Sequence, residues 1–86
     1  MRFRISTHAR QEMRRRGIPS RLVRDVLERP GQVVPEREHK KAYQSQVEFA
    51  GGRMYLVRVI VDDTIDPAVV VTVYRTSKLS KYWSKT

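Results

Sequence analysis

Cysteine is absent from the 86 residues, which excludes both a disulfide framework and a thiolate metal site. Aromatic residues make up only 8% of the chain and hydrophobic residues 40%, enough for one layer of side chains between a sheet and a helix or two. Such a thin core argues against a deep, enclosed pocket and for chemistry on an open face. No apolar stretch has the length of a signal peptide or a membrane span, so the expected location is the cytoplasm and no membrane partner is expected. Acidic residues are scarce: 9 Asp plus Glu stand against 18 Lys plus Arg. The resulting formal charge of +9, with a pI near 10.7, sets up a field that draws polyanions, of which nucleic acid is the commonest in a cytoplasm. A basic surface kept for solubility, or one that docks an acidic protein, are the alternatives.

What is present fits one domain spanning residues 1–86, of α+β class. Arg2-Phe3-Arg4-Ile5-Ser6 alternates polar and apolar and reads as a short edge strand. Ser6 or Thr7 then caps a helix that runs from about His8 to Arg16 and stops at Gly17, with Ala9 and Met13 as its narrow apolar stripe. Ile18-Pro19 opens a second helix to Glu28, with Leu22, Val23, Val26 and Leu27 on one face and Pro30-Gly31 ending it. Charges one turn apart on that helix pair Arg21 with Asp25 and Arg24 with Glu28, whereas Arg14-Arg15-Arg16 has only Glu12 nearby to offset it. The net positive field is therefore expected on the first helix.

From Gln32 the period changes to two, with strands around Gln32 to Pro35, Lys41 to Phe49, Met54 to Val61 and Ala68 to Arg75. Gly51-Gly52 marks a tight hairpin and Asp62 to Pro67 a longer one. The tail from Ser77 reads as a short helix or strap pinned by Tyr82 and Trp83. Centring the longer loop on Ile65 sets Val61, Val59 and Val57 opposite Val69, Val71 and Val73 on the core side. Leu56, Arg58 and Ile60 then share the other side with Val70, Thr72, Tyr74 and Thr76, where Arg58 sits across from Thr72 and diagonal to Tyr74. A mid-strand arginine beside a tyrosine and two threonines reads as the floor of a polar cleft.

His8-Ala9, Glu12-Met13, Arg16-Gly17-Ile18, Val26-Leu27 and Pro30, with Val71-Thr72-Val73-Tyr74-Arg75-Thr76-Ser77-Lys78 and Lys81-Tyr82-Trp83 at the other end, resemble the domain-of-unknown-function family numbered 4258. That family is similar to the RelE-like toxins, grouped with barnase-like and colicin-type ribonucleases. The resemblance implies two N-terminal helices packed on one face of a twisted antiparallel sheet. It also implies a toxin of a type II toxin–antitoxin system, an RNA endonuclease that inhibits translation, with a small acidic antitoxin protein as partner and RNA, on the ribosome or free, as target.

A ribonuclease of this kind uses no metal or other cofactor. It makes the RNA's own 2′-hydroxyl attack the neighbouring phosphate, and needs a base, an acid and cations for the charge that builds on the phosphoryl oxygens. His8, matching the family's His-Ala pair, is the candidate for proton transfer, its alternative being a capping or packing residue. Arg58 is the candidate phosphate clamp, against an arginine whose stem covers the sheet while its head reaches water. Tyr74 is a candidate for stacking on a base or donating a proton, against an ordinary cross-strand aromatic. Lys78, where the last strand ends, is the candidate C-terminal cation, against a solvated charge. Arg14, Arg15, Arg16, Lys40, Lys41, Arg75, Thr76 and Lys81 complete an RNA-binding surface, with Arg75 pointing away from Tyr74 on a regular strand. Asp62, Asp63 and Asp66 suit a turn better than a metal site. A non-catalytic module that binds RNA or an antitoxin is the competing reading of the whole chain.

Overall fold

The computed structural model describes residues 2–85. Strand β1 (Phe3–Ile5) leads into helices α1 (Thr7–Arg16) and α2 (Ser20–Glu28). The chain then builds β2 (Gln32–Pro35), β3 (Lys41–Glu48), β4 (Met54–Asp62) and β5 (Ala68–Thr76), and closes with the short α3 (Leu79–Tyr82). The five strands form one sheet in the order β1-β5-β4-β3-β2. The sheet is mixed rather than fully antiparallel, because β1 runs parallel to β5 while the other pairs are antiparallel. Two helices separate β1 from the rest, and alternation along a three-residue strand carries no information about its direction, so the antiparallel expectation fails at this edge alone.

Local chemistry accounts for the helix ends. The Ser6 hydroxyl accepts a 3.0 Å hydrogen bond from the Ala9 amide and so caps α1. Gly17, at φ 66°, takes the left-handed conformation that ends the helix, and Arg14, Arg15 and Arg16 sit in the last turn, where the helix dipole favours cations. Pro19 is the residue before α2 rather than its first helical residue. The acid–base pairs differ from expectation on α2, while on α1 Glu12 offsets the arginine run as expected. Glu12 binds Arg15 at 3.0 Å and Arg16 at 2.8 Å, and Asp25 pairs with Arg29 rather than Arg21. In both pairs formed at a spacing of four, Glu12–Arg16 and Asp25–Arg29, the acid precedes the base, the orientation that adds to the helix dipole; the two expected pairs had it reversed. The positive field still concentrates on α1, where Arg10, Arg14, Arg15 and Arg16 stand against Glu12 alone, while on α2 the exposed Arg21 and Arg24 are balanced by Asp25 and Glu28.

Ala9, Met13, Ile18, Val23, Val26 and Leu27 pack from the helices onto Tyr43, Val57, Val59, Val61, Ala68, Val70 and Val73 of the sheet. The β4 half of this face matches the expected alternation, but the β5 half does not. Ile60 pairs with Thr72 while Val61 pairs with Val70, so Val71 is an extra residue in a β-bulge. The bulge lets Val70 and Val73 face the core together, in place of Val69, Val71 and Val73. Added to a one-residue offset at the loop, where Val61 pairs with Val70 rather than Val69, it brings Tyr74, not Thr72, directly opposite Arg58. Ser6 fixes the bulge from outside: its amide donates to the Val70 carbonyl at 3.1 Å and its hydroxyl to the Val71 carbonyl at 3.2 Å.

The turn joining β2 to β3 is strained. Lys40 closes it with a 3.1 Å bond to the Arg37 carbonyl, and Glu38 and His39 hold φ values of 58° and 64°. Two successive left-handed residues are the signature of a type I′ turn, which Asn-Gly fits at least cost. Replacing Glu38 by Asn and His39 by Gly together is expected to raise stability by about 1 kcal/mol. Urea denaturation checks this; a loss of stability would show that the two side chains contribute more than the turn costs.

Candidate functional site

The sheet face away from α1 and α2 is where Arg58 and Tyr74 project, and it is not an open cleft. Arg58 is only 3% exposed, and Leu56, Ile60, Ala42 and Gln44 are buried on the same side. Its guanidinium is held from three directions. Nε donates to Gln44 Oε1 at 2.8 Å, one Nη donates to the Tyr74 hydroxyl at 2.6 Å, and the other reaches Glu36 Oε1 at 3.4 Å. The Tyr82 ring of α3 lies over it, 4.5 Å from ring centroid to guanidinium carbon. A charge so deeply buried persists only when paired, and this one is.

The same network ties down the C-terminal strap. The Gln44 amide donates to the Tyr82 carbonyl at 3.1 Å and to Gln32 Oε1 at 2.9 Å. Gln32 in turn donates to the Ser84 carbonyl and accepts from the Ser84 amide. Trp83 lies against Gly31, where a β-carbon would come within 3.0 Å of its ring. Tyr82 and Trp83 thus pin the tail, as their aromatic character suggested, and in doing so they cover the arginine.

Tyr74 is half-buried and stands at the rim of this cluster. Burial pushes its phenol above the ordinary tyrosine value, an effect that the hydrogen bond and charge of Arg58 oppose. Past the bulge, β5 has no outer neighbour, because β1 pairs only with Ala68, Val69 and Val70. Helix α1 packs mainly on β5, and across this open edge Arg16 approaches the Tyr74 ring to 6.0 Å. Arg16 is the end of a row along α1, since His8, Glu12 and Arg16 recur at intervals of four and share one side of the helix. Glu12 accepts from Nε and one Nη of Arg16 and from Arg15. The Arg16 bond is the chief reason its carboxyl lies below the ordinary glutamate value, with the charges of Arg15, Arg16 and His8 adding to it. His8 is exposed at the start of the row.

The geometry therefore brings Arg16, Tyr74 and Arg58 together over the edge of β5, with Arg58 inside the fold rather than on its surface, while His8 stands two helical turns before Arg16, about 12 Å back along α1. Arg14 and Arg15 are exposed beside it. Lys78 is exposed just before α3, its amide donating to the Thr76 hydroxyl, and Lys81 lies over the Tyr82 ring at 5.1 Å. Other expected residues lie elsewhere. Arg75 faces the helix side and stacks on Phe49 and Tyr55 at 4.4 and 4.8 Å, as regular alternation requires. Lys40 is paired with Glu38, and Lys41 with Asp63 at 2.8 Å, a bond that raises the Lys41 ammonium above its ordinary value. Asp62 is occupied by the Thr64 amide and hydroxyl, which hold its carboxyl low. Glu12, Glu36, Gln44 and Gln32 were not among the expected site residues. Gln44 had a readable signal, since a glutamine in register with Arg58 on the neighbouring strand is placed to meet it.

Comparison with known proteins places the chain at the level of family. The family described as Domain of unknown function (DUF4258) matches residues 5–75, most of the chain, and the chain belongs to it. No curated protein and no solved structure matches the chain.

Two predictions test the network. Arg58→Met is expected to cost about 3 kcal/mol of stability, because it leaves Gln44 without its acceptor's partner in a buried site, whereas Tyr74→Phe should cost about 1 kcal/mol. Equal losses in denaturant titrations would show that the cluster is not centred on Arg58. A carboxyl held below its ordinary value of 4.5 contributes stability above that pH, and the contribution is lost as pH falls through the lowered value. Glu12→Gln should therefore melt below the parent at neutral pH, and the gap should close in acid.

Proposed function

We propose that this chain is a toxin of RelE-like type that binds RNA and cuts it, inhibiting translation, with a small acidic antitoxin protein as its partner. The observation that carries the reading is the row His8, Glu12, Arg16 meeting Tyr74 at the open edge of β5. A cation and a fixed phenol meet there, and a proton-transfer group stands two turns back on the same side of α1, on a chain carrying +9. His8 takes the proton from the 2′-hydroxyl of the RNA, and that oxygen attacks the adjacent phosphorus. The bond to the 5′-oxygen breaks, and the leaving oxygen takes a proton from Tyr74, whose own oxygen already accepts from Arg58 and so leaves its O–H free to donate. The products are a 2′,3′-cyclic phosphate and a 5′-hydroxyl end. Arg16 lies nearest the developing phosphoryl charge, while Arg14, Arg15, Lys78 and Lys81 hold the flanking backbone.

Arg58 has a different role from the clamp expected of it. With its donors on Gln44, Tyr74 and Glu36, it is a positioning residue that sets the phenol. The same fact favours a second reading, a non-catalytic RNA-binding or antitoxin-binding module, since the cation best suited to neutralise a phosphoryl transition state is spent inside the fold.

Incubation of the purified protein with total RNA separates the two. Cleavage should yield cyclic-phosphate ends and fall by at least about 100-fold in His8→Ala, the usual cost of losing an acid–base group. Cutting that both His8→Ala and Tyr74→Phe retain in full would sink the enzyme reading. Binding without new ends, weakening steeply with added salt, would establish the second.

A further inference from the structure

The opposite border of β5's neighbour carries a surface that the RNA reading leaves unused. Strand β1 is the last strand on its side of the sheet. The Arg2 carbonyl accepts from the Ala68 amide at 3.0 Å and the Ser6 amide donates to the Val70 carbonyl at 3.1 Å, so the even-numbered residues turn their backbone groups toward β5. Alternation then directs the N–H and C=O groups of Phe3 and Ile5 outward, as a template for one more strand. Beside this border lies an open cavity of about 480 Å³ between β1 and the two helices. Phe3, Ile5 and Leu27 give it an apolar lining, Arg10 and Arg24 flank them against the single acid Glu28, and Arg4, which alternates with Phe3 and Ile5, is exposed on the other face of the same border. Among the described residues, none of these three arginines makes an ion pair.

We propose that this groove docks an extended acidic segment of a protein partner, in which aliphatic residues alternating with Glu or Asp add a strand to β1. The outward backbone groups supply main-chain hydrogen bonds, the lining accepts every second side chain, Arg4 meets the carboxylates that alternate onto the other face, and Arg10 and Arg24 add their attraction for an acidic segment from the helix side. Nucleic acid fits less well, because phosphates would face Glu28 and the apolar lining offers no flat aromatic face at full exposure for a base. The proposal deepens the acidic-partner part of the function proposed above and is independent of RNA cleavage.

The test titrates a synthetic peptide alternating Glu and Val into the intact protein while amide resonances are followed by NMR. Saturable binding is expected, with the largest shifts and the strongest hydrogen-exchange protection at Phe3 and Ile5. A peptide with Lys in place of Glu should not bind, and Arg10→Glu with Arg24→Glu should weaken the Glu peptide by about tenfold or more. His8→Ala should bind the peptide as the parent does, whatever it does to RNA. The proposal is overturned if the Lys peptide binds as well as the Glu peptide, or if the shifts centre on the β2 border at Val33. It is also overturned if an oligouridine moves the Phe3 and Ile5 amides as strongly, or if those amides are already protected by self-association of the free chain.

Discussion

A guanidinium that is almost wholly removed from water must find partners for its charge, and in this protein that requirement organises one entire side of the sheet. Gln44 comes from β3, Tyr74 from β5, Glu36 from the end of the β2 hairpin and Tyr82 from the tail, and all four meet at Arg58. Removing any one leaves a buried polar group without its partner, so the elements that carry them are bound into a single arrangement. The helix side has no such centre. It is an ordinary apolar core, in which aliphatic side chains of α1 and α2 cover Val57, Val59 and Val61. Stability is thus supplied on one face by apolar burial and specificity on the other by hydrogen bonds.

The two borders of the β1–β5 pair expose different chemistry. Where β1 stops, β5 continues alone, and α1 can place Arg16 next to Tyr74. Where β1 faces outward, the backbone of Phe3 and Ile5 is open and arginines gather beside an apolar groove. The shortness of β1, three residues, is what creates both surfaces. A longer first strand would seal the distal half of β5 and shut Arg16 away from the phenol.

Most of the architecture was legible because it follows from local rules. Helix α1 ends where Ser6 and Gly17 dictate, the strands follow period two to within a residue, and the tail is pinned by its aromatics. Three features were not. The parallel direction of β1 depends on how two helices return the chain to the sheet. The bulge at Val71 is invisible in a run of valines, since any phase of Val69, Val70, Val71 and Val73 looks equally apolar. The face bearing Arg58 reads as an open cleft when strands β4 and β5 are taken alone, because the residues that close it lie 14 positions away at Gln44, 22 away at Glu36 and beyond the last strand at Tyr82. For the same reason the sequence identifies His8, Arg58 and Tyr74 as notable without showing that one of them is a support for another.

The bulge also separates β5 into two parts that answer to different constraints. Ahead of Val71, the strand is clasped between β1 and β4 and its side chains fill the interior. Behind it, only β4 is a neighbour, and the Tyr74 side chain meets Arg16 of α1 across the free edge. Substitutions in the second part change the side chains along this border without disturbing the register of the first, so that a single irregular residue lets one strand be both foundation and free rim.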